Sequence, residues 1–174
     1  EEQISPSPKP SAPDEGMSQQ LDMFSVGSET QGEMQLSSGF QNAENTDHFY
    51  QFVDTEFSQL LLLKKLLQQP SVCFDTETTS LNTLEAKLVG IAFSYEKGKG
   101  YYVPVPENDE EANVVLKRFI PFFKDESIEK VGQNLKYDIK VLKNYSIDVK
   151  GPLFDTMIAH YLINPDMRHN MEVL

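Results

Sequence analysis

Hydrophobic and polar positions are spread unevenly along this chain. Residues 1–46 show no sustained period: Pro6, Pro8, Pro10 and Pro13 are scattered among Ser, Gln and acidic side chains, and only 11 of these 46 residues are hydrophobic. From residue 47 onward 57 of 128 are hydrophobic, a share that can bury a core. The pattern therefore predicts a disordered interdomain linker over 1–46 and one folded domain over 47–174.

Within the domain the period switches between strand-like and helix-like. Residues 50–53 predict a short strand. Asp54 or Thr55 then caps a helix reaching about residue 69, with Phe57, Leu60, Leu61 and Leu67 on its apolar face and Pro70 as its stop. Three extended stretches follow at 71–76, 88–95 and 100–105, separated by turn-like Asn82 and the Lys97-Gly98-Lys99-Gly100 run. Connections this short suit an antiparallel meander. Next come a helix over 110–123, with Leu116, Phe119, Phe122 and Phe123 at core spacing, a short strand near 130–132 and a helix over 135–145. A last helix runs from Asp155 to about 163. This order predicts an α/β fold with a mixed sheet.

Charge narrows the function classes. The chain carries 15 basic and 27 acidic side chains, a formal net charge of −12, which argues against a broad basic face that grips a nucleic-acid backbone. One cysteine, Cys73, excludes an internal disulfide and a paired-cysteine zinc site. No signal-peptide pattern and no apolar run long enough to span a membrane is present, so no membrane partner and a cytoplasmic setting are expected.

The chemistry concentrates at the end of the strand Val72-Cys73-Phe74-Asp75-Thr76-Glu77-Thr78-Thr79. Side chains two apart on a strand share a face, so Asp75 and Glu77 are expected to point the same way. Two such carboxylates repel unless a cation or a shared proton neutralises them, and hard oxygen ligands suit Mg2+ or Mn2+. On this spacing alone, a strand fraying into solvated turn residues and a phosphatase-like Asp nucleophile remain open. A second cluster, Asn134-Leu135-Lys136-Tyr137-Asp138, places Asp138 in the first turn of a helix, where the helix dipole alone also favours an acid.

Together the two clusters resemble the first and second motifs of DnaQ-like 3'-5' exonucleases, and more narrowly the proofreading domain of bacterial family A DNA polymerases. The resemblance covers about residues 49–174 and extends to Leu88-Val89-Gly90-Ile91-Ala92-Phe93, Tyr101-Tyr102-Val103-Pro104-Val105 and Phe154-Asp155-Thr156-Met157. It implies an RNase H-like mixed sheet, an antiparallel three-strand meander plus further strands, flanked by helices. It also implies that Asp75, Glu77 and Asp138 are catalytic and hold two divalent metal ions, Mg2+ or Mn2+, for in-line hydrolysis at phosphorus that releases nucleoside monophosphates. By the same resemblance Thr78, Leu81, Asn134 and Tyr137 contact the single-stranded 3' end of DNA, Leu81 as an apolar wedge and Tyr137 by base or sugar packing. Asp155 is expected to cap a helix. The expected further partners are the polymerase and 5' nuclease domains of a longer chain.

One departure stands out. The family's third motif, a Tyr three or four residues before a last metal-binding Asp, has no match, since Tyr161 precedes Asp166 by five positions next to Pro165. The domain is therefore expected to be C-terminally truncated, lacking one ligand and a water-orienting Tyr. Two alternatives accompany the exonuclease expectation: an RNase D-like 3' exoribonuclease, and a catalytically silent DNA-guiding module, whose relatives have lost the acids present here. In the linker, Gln20-Leu21-Asp22-Met23-Phe24 resembles the pentapeptide that binds the bacterial sliding clamp, with Met23 in place of the usual Leu. Chance matching in a Gln- and Ser-rich segment is the competing explanation.

Overall fold

The structure, a computed structural model, describes residues 47–169. The linker expected over 1–46 and the clamp-like residues 20–24 lie outside the described residues. Ten elements follow in order: β1 (Phe49–Phe52), α1 (Glu56–Leu66), β2 (Ser71–Thr78), β3 (Leu88–Glu96), β4 (Lys99–Pro104), α2 (Asp109–Lys124), β5 (Glu129–Gly132), α3 (Leu135–Asn144), β6 (Leu153–Asp155) and α4 (Thr156–Ile163). The six strands form one sheet in the order β1-β4-β3-β2-β5-β6. The expected meander is present: β2 pairs antiparallel with β3 and β3 antiparallel with β4. Parallel pairs β1–β4, β2–β5 and β5–β6 complete the mixed sheet. The turn into β4 uses Gly98 at φ +76, where an added Cβ would lie 2.6 Å from the Asp47 carbonyl oxygen.

Two features differ from the sequence expectation. The strand β6 is only three residues long and carries no readable alternation. In α1 the buried residues are Gln59, Leu62 and Leu66, whereas Phe57, Leu60, Leu61 and Leu67 are exposed. The run Leu60-Leu61-Leu62-Leu63 makes the helix apolar on several sides, so periodicity cannot choose the inward face. Satisfied polarity decides instead: the Gln59 side chain donates to the carbonyls of Val53 and Asp54 and accepts from Arg118 Nη1 at 2.6 Å, so it can be buried.

The core lies on one side of the sheet, where Val72, Phe74, Ile91, Phe93 and Val103 join Leu116, Phe119, Phe122 and Phe123 of α2 and Val141 and Leu142 of α3. Phe93 is its centre, with the rings of Phe119, Phe122 and Phe123 at 5.3, 5.6 and 6.2 Å. Replacing it with Ala removes those contacts and leaves a cavity. Phe93→Ala should therefore destabilise the domain by ~3–5 kcal/mol, read as a lowered urea midpoint with an unchanged slope. A charge is buried here too: the Lys130 ammonium donates to the carbonyls of Asp125 and Ile128 and lies 5.4 Å from the Phe122 ring centroid, and burial pushes its pKa down. Among the described residues no helix is long and apolar enough to cross a membrane.

Candidate active site

Alternation along β2 buries Val72, Phe74 and Thr76 and turns Cys73, Asp75 and Glu77 to the opposite face. On that face Asp75 pairs with Ala92, which pairs with Tyr102, which pairs with Phe52, so the acid begins a row running across four strands. Two residues further along β2, Glu77 pairs with Gly90. A Cβ at Gly90 would lie 2.1 Å from the Tyr102 hydroxyl oxygen, so only glycine lets that ring lie across the sheet. The Tyr102 phenol has its pKa raised by burial and by the charge of Glu77. Sequence reading assigned nothing to Tyr102, because its approach depends on the missing side chain one strand away.

The neighbours of β2 end at different heights. Pairing with β5 covers only Ser71 to Cys73, whereas pairing with β3 continues to Thr78. Beyond Cys73 that edge of β2 is bare of strand, and the Thr76 N–H needs another acceptor. Asp138 supplies it: its Oδ1 accepts from Thr76 N at 3.0 Å and from Thr76 Oγ1 at 2.5 Å. The carboxylate is buried, at 2% exposure, and sits between the two acids' backbone positions although 62 residues separate it from Thr76. Thr76 is thus a site residue that the sequence did not reveal.

Asp138 reaches this place through the local conformation of its helix start. Asn134 adopts the left-handed region, φ 59 and ψ 45, and its side chain makes no capping bond. The first free N–H groups of α3 point instead to Asp155, whose Oδ1 accepts from Asn134 N at 3.0 Å and whose Oδ2 accepts from Leu135 N at 2.9 Å. Asp155 also caps α4, accepting from Met157 N and Ile158 N, as its position before Thr-Met predicts.

Electrostatically the corner is overcharged. Burial and then the charge of Glu77 raise the pKa of Asp75. Burial raises Asp138 to about 6, with Asp75 adding to the rise and the Thr76 hydrogen bonds opposing it. Among the described residues no basic side chain contributes to either shift. Among the described residues no three His, Cys, Asp or Glu side chains are gathered as a ready-made ligand set. The donor chemistry nevertheless suits a hard divalent cation: carboxylate oxygens in mutual repulsion with no resident counter-charge.

The remaining expected contacts surround the acids. The Tyr137 hydroxyl donates to the Ser80 carbonyl at 2.6 Å and meets Thr78 Oγ1 at 2.5 Å, so Tyr137 and Thr78 anchor the loop that follows β2. That loop holds Leu81 93% exposed and Leu84 86% exposed, so neither side chain belongs to the core. Asn144 Nδ2 donates to the Thr83 carbonyl at 2.6 Å and fixes the loop from its other end. Tyr137→Phe leaves the Ser80 carbonyl with only the longer bond from Thr78 Oγ1, at 3.2 Å. It should cost about 1 kcal/mol and speed amide exchange across residues 80–86, with the core strands unaffected.

The model of the 3'-5' exonuclease family of family A DNA polymerases matches residues 50–174. The chain is 35% identical over 128 residues to DNA polymerase I of Borreliella burgdorferi, covering 72% of this chain and 14% of that protein. It is 41% identical over 123 residues to DNA polymerase I of Pseudomonas aeruginosa, covering 64% and 13%. It therefore spans a small fraction of those polymerases. Among solved structures it is similar to Brucella melitensis NrnC bound to pGG, with TM-score 0.58, 23% identity and 73% and 58% of the two chains covered. Escherichia coli RNase D, an exoribonuclease, aligns with TM-score 0.54, 21% identity and 67% and 29% coverage. These two likenesses concern the fold, the RNase H-like sheet expected from the sequence. Motif order, fold and sequence identity agree, and the chain belongs to the 3'-5' exonuclease family of the family A DNA polymerases.

Proposed function

We propose that this chain is the proofreading module of a DNA polymerase I and hydrolyses the last phosphodiester of a DNA strand at its 3' end, releasing a nucleoside monophosphate. The observation that carries the reading is the meeting of Asp138 with the Asp75-Thr76-Glu77 stretch on a bare strand edge, where no basic side chain offsets the charge. Asp75, Glu77 and Asp138 would hold two divalent cations, Mg2+ or Mn2+. Such ions activate a water and stabilise the departing 3' oxygen. Both Thr76 bonds fall on Asp138 Oδ1, which leaves Oδ2 for a cation. Glu77 and Asp75 supply the oxygens of the exposed face. Leu81 meets the terminal bases from its rigid loop, while Thr78, Asn134 and Tyr137 line the path of the strand.

The chain's acidity fits this division of labour, since carboxylates repel the phosphate backbone until cations bind, and grip is left to the rest of the polymerase. Its partners are then the 3' end of DNA, the polymerase and 5' nuclease domains and, through residues 20–24, the sliding clamp, all in the bacterial cytoplasm. The test is a 5'-labelled primer with a mispaired 3' nucleotide, incubated with the intact polymerase. The expected result is Mg2+-dependent shortening from the 3' end with release of nucleoside 5'-monophosphates. Cleavage confined to a ribonucleotide 3' end would make the exoribonuclease reading correct. No shortening at all would favour a silent guiding module.

A further inference from the structure

We propose that Asp155 is a positioning residue for Asp138: with one carboxylate it joins the start of α3 to the start of α4 and so fixes the turn that delivers Asp138 to the edge of β2. The inference rests on the metal-binding reading of Asp138 given above. Three observations carry it. The turn is built on a non-glycine residue in the left-handed region, Asn134, a conformation that persists only where its surroundings hold it. Asn134 does not cap its own helix, and the two N–H groups at that turn both go to Asp155, one to each carboxylate oxygen. Asp138 lies on the first turn of the same helix, so a rotation of that turn moves its carboxylate away from Thr76 and from Asp75.

The neighbouring contacts reinforce one hinge point. Thr156 Oγ1 donates to the Gly132 carbonyl and meets Gln133 Oε1, and β6 pairs Asp155 with Gly132. Residues 132–135 are thus held by residues 155 and 156, by α3 itself and by the His169 carbonyl, which accepts from Gln133 Nε2 at 2.7 Å. Asp155 reaches no substrate in this arrangement; it acts through Asp138, as groups behind a metal ligand commonly do.

The two oxygens divide the work in a way that substitution can separate. Oδ1 serves Asn134, Met157 and Ile158, whereas Oδ2 serves Leu135 alone. Asp155→Asn keeps three acceptor contacts and places an NH2 donor against the Leu135 N–H. It breaks the bond to Leu135, one of the two links to α3, while keeping Asn134 held and α4 capped, since Asn is as good a cap as Asp. Asp155→Ser is the second variant: its hydroxyl caps α4 but is too short to span to α3.

The experiment titrates Mn2+ into the full chain and into each variant, well below their unfolding temperatures. It follows paramagnetic broadening of the Asp75, Glu77 and Asp138 amides and measures Tm separately. For the wild type all three amides should broaden. For Asp155→Asn and Asp155→Ser the Mn2+ affinity read at Asp138 should fall by about 10- to 100-fold, with broadening at Asp75 and Glu77 retained at high Mn2+. Wild-type affinity at Asp138 in both variants, with only Tm lowered, would overturn the proposal by making Asp155 a cap and nothing more. No broadening at the three acids of the wild type would overturn the metal reading itself, a different failure with a different signature.

Discussion

Asp75→Ala should lower the rate of 3'-nucleotide removal by the intact polymerase at least ~100- to 1000-fold, the loss expected when one preorganised electrostatic partner is deleted from an active site. Polymerisation and folding should remain at wild-type level. The split follows from where Asp75 sits: it is half-exposed on the open face of the sheet, outside the core formed by Phe74, Phe93 and the α2 phenylalanines. Removing it also relieves repulsion with Glu77 and Asp138, so its loss costs the fold little. Retained removal of mispaired nucleotides by this variant would contradict the assignment. A collapse of polymerisation along with it would mean that Asp75 supports the structure.

Asp138→Asn has the opposite effect on the metal-free chain: it stabilises it. A carboxyl whose pKa rises from 3.8 to about 6 on folding binds its proton more tightly in the folded than in the unfolded chain. Stability is therefore highest below pH 4 for this group and is lost as the pH climbs through about 6, by ~3 kcal/mol for a shift of that size. Asn keeps Oδ1 as acceptor for Thr76 N and Oγ1 but carries no charge. In chelator at pH 8 the variant should thus exceed the wild type by up to ~3 kcal/mol in urea unfolding, with the difference vanishing near pH 4. Excess Mn2+ should narrow or reverse the order, because it binds only the folded wild type with high affinity. Equal stabilities in chelator at both pH values would show that Asp138 is not strained by its own charge.

The parts of this molecule that were legible in the sequence are those governed by neighbours along the chain. Short connections gave away the meander, Pro70 and Thr55 bracketed α1, and the spacing of Phe119, Phe122 and Phe123 marked the inward side of α2. The face of α1 was not legible, since Leu60 to Leu63 is apolar all round and the buried Gln59 is acceptable only through its bonds to Val53, Asp54 and Arg118. In the site, the shared face of Asp75 and Glu77 follows from strand period alone. The roles of Thr76 and Tyr102 do not: one depends on where β5 stops, the other on the empty space above Gly90. The capping role of Asp155 at α4 was readable from Asp-Thr-Met, but its hold on α3 is a contact across 20 residues that local sequence does not encode.

The most direct test of the central claim, that Asp75, Glu77 and Asp138 form one cation site, is an anomalous-difference map from crystals of the chain grown with Mn2+. The account predicts density within about 2.1 Å of carboxylate oxygens from all three acids, with the Thr76 contact to Asp138 Oδ1 preserved. Mn2+ held elsewhere, with no density between Asp138 and Asp75, would contradict it.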